Sequence, residues 1–350
     1  MHQTPLSPSA QAAYAQLLDA CLSVDATRSP RDLPGSFASK KVRGKLYHYF
    51  QYTEPSGVLR QIYVGPDTPA VRKMIADHAI GHQRKDNLSA LARSAAALGC
   101  QQGISAHVRV IERLADYGFF RAGGVLIGTH AFAAMGNMLG VAWNGAVQTQ
   151  DVDFAHAGSN VSVALPCDVR MDTHAAIESL AEGFLPASAL TGKAGASYLH
   201  PRHPDFSLDF LTPMTREGQP TLEPRLGIKL QPIRLMEYLL EDVQQAVVFS
   251  GARVALVNVP SPYRYAIHKV MISAERGPSQ KTKAIKDVWQ AASIVEATYP
   301  QDADHLGEAI RDAIKRGPGW RKRWEKGLDL LHSRHAEVAA VIRAMMADAG

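Results

Sequence analysis

Hydrophobic and polar positions follow helical spacing in some stretches of this chain and a period of two in others. Residues 9–22 carry apolar positions at helical spacing and predict a short amphipathic helix, after which Pro30, Pro34 and Gly35 mark a loop. Residues 45–52 and 58–64 flank Glu54-Pro55-Ser56-Gly57 and predict a hairpin rich in aromatic residues. Helical spacing returns over 68–99 and 106–117. A buried strand is then predicted at 125–127, with a helix at 129–139 beginning directly after Gly128. Further strands are predicted at 151–155, 161–165 and 206–211, short helices at 173–181 and 234–241, and a hairpin from 246–250 and 254–259. From Pro262 onward the pattern is helical, over 263–274, 283–297, 305–315 and 321–346, with breaks at Gly277-Pro278, Tyr299-Pro300 and Gly317-Pro318-Gly319. The pattern describes an α+β protein in three parts: 1–120, helical with an aromatic β-hairpin; 121–260, a mixed core; and 261–350, a helical bundle.

Composition changes this picture little. The 350 residues are 46% hydrophobic and 20% charged, ordinary for a globular chain. The formal net charge of +5 permits an anionic partner without demanding one. Cys21, Cys100 and Cys167 are scattered, with no metal-type or redox-type spacing, and read as reduced thiols. The segment MHQTPLSPSAQAAY lacks a basic region followed by an apolar one, and no apolar run reaches membrane-spanning length. A cytoplasmic protein without a membrane partner is the expectation.

The candidate chemistry sits in the middle third. In Asp151-Val152-Asp153 the two carboxylates are two apart on a strand and so share a face. Adjacent anions repel unless a cation lies between them, and hard divalent cations accept oxygen ligands. A third acid, Asp209, lies between Leu208 and Phe210 on another apolar strand, where an unpaired carboxylate is costly. If those strands are neighbours, three carboxylates meet, enough for two divalent ions about 3.5–4 Å apart. Gly128-Thr129, after the strand at 125–127, marks a helix N-terminus where backbone N–H groups can receive a phosphate and Thr129 adds a hydroxyl at the cap. Taken alone, that pair reads as a plain helix cap.

This constellation resembles the DNA polymerase β-type nucleotidyltransferase superfamily, whose pattern is an apolar residue, Gly and Gly or Ser, then Asp-apolar-[Asp/Glu]-apolar, then a later Asp. Gly128-Thr129, Asp151-Val152-Asp153-Phe154 and Asp209 are the matching residues. Lys269, ending Tyr263-Arg264-Tyr265-Ala266-Ile267-His268-Lys269, and the later Lys286-Asp287 are similar to a lysine helix and a Lys-Asp pair found after the core in many members. Residues 124–297 look like a bacterial branch of nucleotidyltransferase-fold proteins whose substrates are mostly unassigned. The chain departs from the pattern in its long spacer, Gly140-Val141-Ala142-Trp143-Asn144-Gly145, and in Thr129 at the second motif position.

The resemblance implies a nucleotidyltransferase-type mixed sheet flanked by helices. It further implies two Mg²⁺ ions, with Mn²⁺ as a substitute, held by Asp151, Asp153 and Asp209. Asp209 would also help deprotonate an acceptor hydroxyl, and Gly128 and Thr129 would hold the β- and γ-phosphates of an NTP. Lys269 and Lys286 would neutralise the triphosphate; a surface helical pair explains Lys286-Asp287 equally well. The implied reaction moves an NMP to a hydroxyl of an RNA 3′ end, a protein side chain or a small molecule and releases pyrophosphate. Toxin and defence roles follow only by analogy of fold, and an inert NTP- or nucleic-acid-binding module is the alternative.

Several other groups have plainer readings. His130 reads as a helix-start histidine facing solvent, His268 as a core-packing residue, and His200, His203 and Asp205 as members of a proline-rich loop. Lys40, Lys41, Arg43 and Lys45 run into Tyr47, Tyr49, Phe50 and Tyr52, which suits single-stranded nucleic acid, although tyrosines covering a core explain the run better. Arg316, Arg321, Lys322, Arg323 and Lys326 with Trp320 and Trp324 form a second basic and aromatic cluster, explained equally well as a solvated helix face.

Overall fold

The computed structural model describes residues 2–26, 35–53, 59–145, 149–157, 171–188, 194–214 and 217–347. β1 (Gln3–Pro5) and α1 (Pro8–Ala26) lead to an antiparallel sheet of β2 (Ser36–Val42), β3 (Lys45–Thr53) and β4 (Leu59–Pro66). Next come α2 (Pro69–Ala97), α3 (Ser105–Asp116), β5 (Gly124–Leu126), α4 (Gly128–Met138), β6 (Val141–Trp143) and β7 (Asp151–His156). Then follow α5 (Thr173–Glu178), β8 (Leu185–Ser188), β9 (Ala194–His200), β10 (His203–Pro213), β11 (Thr221–Glu223), β12 (Ile228–Ile233) and α6 (Met236–Leu240). A hairpin of β13 (Val243–Ser250) and β14 (Arg253–Pro260) precedes α7 (Pro262–Ser273), α8 (Lys281–Thr298), α9 (Ala303–Lys315), α10 (Pro318–Arg334) and α11 (Ala336–Ala347).

The fold is α+β, with a mixed sheet at its centre. β10 runs parallel to β7 on one side; its other side is taken first by β9, antiparallel, and then by β12, parallel. β5 pairs antiparallel with β7, and β11 with β12. Alternation decides the two faces. Val152, Phe154, Leu208 and Phe210 turn into the core, while Asp151, Asp153, Ser207 and Asp209 stand on the half-buried face. On the apolar side the Phe154 and Phe210 rings stack at 5.2 Å, and Phe119 meets both edge-on.

One hydrophobic cluster runs from Val108 on α3 through the sheet to Val288 on α8 and Ile342 on α11. A smaller cluster joins α1 and α2 to Val247 and Phe249 of the β13–β14 hairpin, and Cys21 and Cys100 are buried in it as free thiols. Burial pushes the Cys21 thiol up to about 12, so it stays protonated. Among the described residues, no helix is long and apolar enough to cross a membrane.

Local signals account for much of this. Thr68 caps α2, its hydroxyl accepting from the Val71 N–H at 3.3 Å, with Pro69 at the first helical position. Other elements depart from the pattern. The segment before position 45 is strand β2, and the predicted helix over 321–346 breaks at His335 into α10 and α11. His200 and His203 lie on strands β9 and β10 at a tight turn, not in a loop. The spacer contains β6, which pairs with β1. The strand expected at 161–165, the turn at 54–57 and Cys167 lie outside the described residues.

Candidate active site

Parallel pairing of β7 and β10 places Asp153 opposite Asp209 and Asp151 opposite Ser207. Three acids far apart in sequence therefore share one patch of the sheet face. Ser197 on β9, opposite Asp209, extends the row and donates its hydroxyl to Asp209 Oδ1. Ser207 Oγ lies 3.1 Å from Asp151 Oδ1 and 3.2 Å from Asp209 Oδ2; its single proton serves one of them at a time.

The glycine turn closes on the same patch. Gly128 opens α4 with φ +62°, and a Cβ there would stand 2.1 Å from Asp153 Oδ2. Only glycine fits both that backbone conformation and that approach. The Ile127 N–H donates to the Asp153 carbonyl at 3.0 Å, tying the turn to β7. The N-cap is Ile127, which has no side-chain cap bond. Thr129 is therefore not the cap; it lies within the first turn and is buried.

Asp153 bears the strain of this crowding. Burial first, then the neighbouring charges of Asp209 and Asp151, raise its pKa from 3.8 to about 6, against the pull of Lys269 and Lys283. The cations come from α7 and α8. Lys269 is largely buried, its side chain 13% exposed, and its Nζ reaches Asp287 Oδ1 at 2.7 Å; Arg276 Nε reaches Asp287 Oδ2 at 3.0 Å. Burial works to lower the Lys269 pKa, but Tyr265, Asp287 and Asp153 raise it overall, so it is a firm cation. Asp287 is only 3% exposed, which overturns the surface-pair reading of Lys286-Asp287. Lys286 is half-buried; burial and the repulsion of Lys269 lower its pKa, against the attraction of Asp287, Asp153 and Asp151.

Sequence reasoning missed four groups. Tyr265, one turn before Lys269, is fully buried; its hydroxyl lies 2.8 Å from the Gly128 carbonyl, to which it donates, and 3.1 Å from Gln290 Oε1, its single proton serving one of them at a time. The i, i+4 spacing from Lys269 was the only sequence signal. Ser207, two residues before Asp209 on the same face, was also legible. Ser197 was not, because nothing in its segment marks its partner strand. His107 on α3 was the fourth. Its Nδ1 meets His130 Nε2 at 3.0 Å, so His130 is buried and does not face solvent. Burial, His107 and Lys286 push His130 down to about 3, leaving it neutral near neutral pH. His268 is buried with neither ring nitrogen hydrogen-bonded among the described residues, and burial holds it down at about 3.

The donors around Asp151, Asp153 and Asp209 are all hard oxygens, which suit magnesium or manganese. A buried carboxylate crowded by two others is the setting a divalent cation relieves, and the space that a Cβ would fill at Gly128 adjoins it. The serine hydroxyls hold the carboxylates in the described arrangement. Among the described residues, no three His, Cys, Asp or Glu side chains converge as a ready-made metal cage.

A family model described as nucleotidyltransferase matches residues 105–315, more than half of the chain. The chain belongs to this nucleotidyltransferase family. The matched span includes Gly128, the three acids, Lys269 and Lys286. No curated protein matches the chain. A solved structure of an antigenic nucleotidyltransferase-like protein from Paracoccidioides brasiliensis is similar at 14% identity and a TM-score of 0.32, over 65% of this chain and 95% of that one. A likeness that distant carries no argument about individual residues.

Proposed function

We propose that the chain is a Mg²⁺-dependent enzyme that moves a nucleoside monophosphate from an NTP to a hydroxyl acceptor and releases pyrophosphate. The observation that carries this reading is the cross-strand pairing of Asp153 with Asp209 directly beneath the Gly128 turn. Family membership supports the reaction class.

In this reading Asp151, Asp153 and Asp209 hold the divalent ions. Bound there, magnesium or manganese would offset the triphosphate charge and stabilise charge on the transferring phosphoryl group. The residues of the chain do the rest by position. Gly128 leaves its backbone open to the β- and γ-phosphates, and the N-terminus of α4 presents unpaired N–H groups to them with Thr129 alongside. Asp209 accepts the proton of the attacking hydroxyl, with Ser197 and Ser207 orienting its two oxygens. Lys286 supplies positive charge beside Asp151 and Asp153. Lys269 acts one step further back, holding Asp287 and the Tyr265 ring that carries the Gly128 carbonyl.

The test uses each NTP labelled at the α-phosphate, with Mg²⁺ and either total RNA or total protein. The expected result is label entering one pool from one NTP, abolished by EDTA, by Asp151→Asn/Asp153→Asn and by Gly128→Ala. Metal-dependent NTP binding with no label transfer and no pyrophosphate release would overturn the enzymatic reading and leave an inert binding module.

A further inference from the structure

The chain carries two clusters in which cations are interleaved with aromatic rings, and the tertiary structure treats most of their charges and rings differently. At the C-terminal cluster the charges of Arg316, Arg323 and Lys326 are absorbed, while Arg321 and Lys322 are exposed. Arg316 pairs with Glu241 and with Asp312 at 2.9 Å, and lies over Tyr238 and Trp320. Arg323 pairs with Glu275 at 2.9 Å, Lys326 donates to the Ala274 carbonyl at 2.7 Å, and Trp324 is buried.

The β2–β3–β4 sheet is arranged differently. Its inner face packs on α2, with Phe37 and Phe50 against His78 at 5.2 and 5.6 Å, and His48 held by Asp67 at 3.1 Å. Its pairing places Lys40, Lys45, Tyr47, Tyr49 and Tyr63 on the other face. Tyr47, Tyr49 and Tyr63 therefore do not cover the core under this sheet, whereas Tyr52 falls on the inner face. Tyr63 is 55% exposed, and its ring meets those of Tyr49 and Tyr47 at 5.6 and 6.2 Å. Lys40 Nζ stands 5.0 Å from the Tyr49 ring centroid and donates to Gln61. Arg43 sits in the turn at the end of this face with φ +47°, and it, Lys40 and Lys45 have no carboxylate partner among the described residues. The sheet also lies outside the span matched by the family model.

We infer that this face binds a single-stranded polynucleotide. It offers tyrosine rings for base stacking beside cations that have no carboxylate partner among the described residues, and it carries no acid among them. Charge favours a polyanion, and the clustered rings favour unpaired bases over a duplex, whose bases are already stacked. In the context of the proposed transfer reaction, on which this part alone rests, the acceptor is a polynucleotide end.

The test is fluorescence polarisation of the full chain with labelled 12-nucleotide single-stranded RNA, the same sequence as DNA, and an RNA duplex, all without NTP. Binding is thus read independently of turnover, and failure of the transfer reaction leaves it standing. Either single strand should bind more tightly than the duplex, and a preference between RNA and DNA identifies the sugar that is read. Tyr49→Ala and Tyr63→Ala should each weaken binding on the order of 10-fold, while Tyr49→Phe and Tyr63→Phe retain it. Lys40→Ala should lower the salt slope by about one. Arg321→Ala/Lys322→Ala, in the other cluster, should change nothing. Equal binding of duplex, equal competition by polyglutamate, or insensitivity to both tyrosine-to-alanine changes in variants with unchanged circular dichroism would overturn the inference.

Discussion

Asp153 shows how a single residue can be unfavourable for folding and suited to a cation. Its pKa is raised from 3.8 to about 6, so the folded state holds this proton more tightly than the unfolded chain. Below about pH 4 both states are protonated and the site costs nothing. As pH rises from about 4 to 6 the unfolded chain releases the proton first, so stability falls, and above about 6 the loss is constant. That loss is on the order of 2–3 kcal/mol. Asp153→Asn should therefore raise the Tm of the metal-free protein at pH 7.5 and remove this part of its pH dependence. Adding magnesium should raise the wild-type Tm and leave the variant's nearly unchanged. Thermal melts from pH 4 to pH 8, with and without magnesium, check both; a variant less stable than wild type at pH 7.5 would contradict the account.

Between elements, the decisive contact is the buried Asp287 carboxylate on α8, paired with the partly buried Lys269 on α7 and Arg276 in the connection between them. It sits behind the site, and Tyr265 carries its influence forward to Gly128. Burial opposes ionisation of Asp287, but Lys269 and Arg276 outweigh it and hold the carboxyl below its usual range. Removing one member of a buried ion pair leaves the others uncompensated, at a cost of about 3–5 kcal/mol. Asp287→Asn should lower the urea midpoint by a corresponding amount. Adding Lys269→Met should recover part of the loss, because the stranded cation is gone. A double variant as unstable as the sum of the two single changes would show that the groups act independently.

At the level of the whole molecule, the first strand ties distant parts together. β1 pairs with β6, while the His2 ring bonds Glu296 on α8 at 2.7 Å and His335, between α10 and α11, at 2.9 Å. Trp143 of β6 stacks on Phe132 of α4 at 4.6 Å, so the same strap braces the helix that begins at the glycine turn. His2→Ala removes two side-chain hydrogen bonds, about 1–2 kcal/mol together. Amide hydrogen exchange in α10 and α11 should quicken, and the Tm should fall by a few degrees. Exchange in those helices identical to wild type would show that His2 does not hold them.

The sequence by itself determined the α+β class, most helices, the Asp-x-Asp strand and the glycine turn, because each is written in local spacing: period two, period 3.6, or a residue that tolerates positive φ. It also marked Asp209, since a carboxylate between Leu208 and Phe210 has no local explanation. Only the tertiary structure decided that Asp209 stands opposite Asp153, that Ser197 joins them, and that Asp287 is buried. Those facts depend on which strands and helices become neighbours, and strand pairing leaves no local trace. The two basic and aromatic clusters make the same point. Their sequences are alike, and whether a charge is spent inside the fold or left for a ligand depends on what lies across from it.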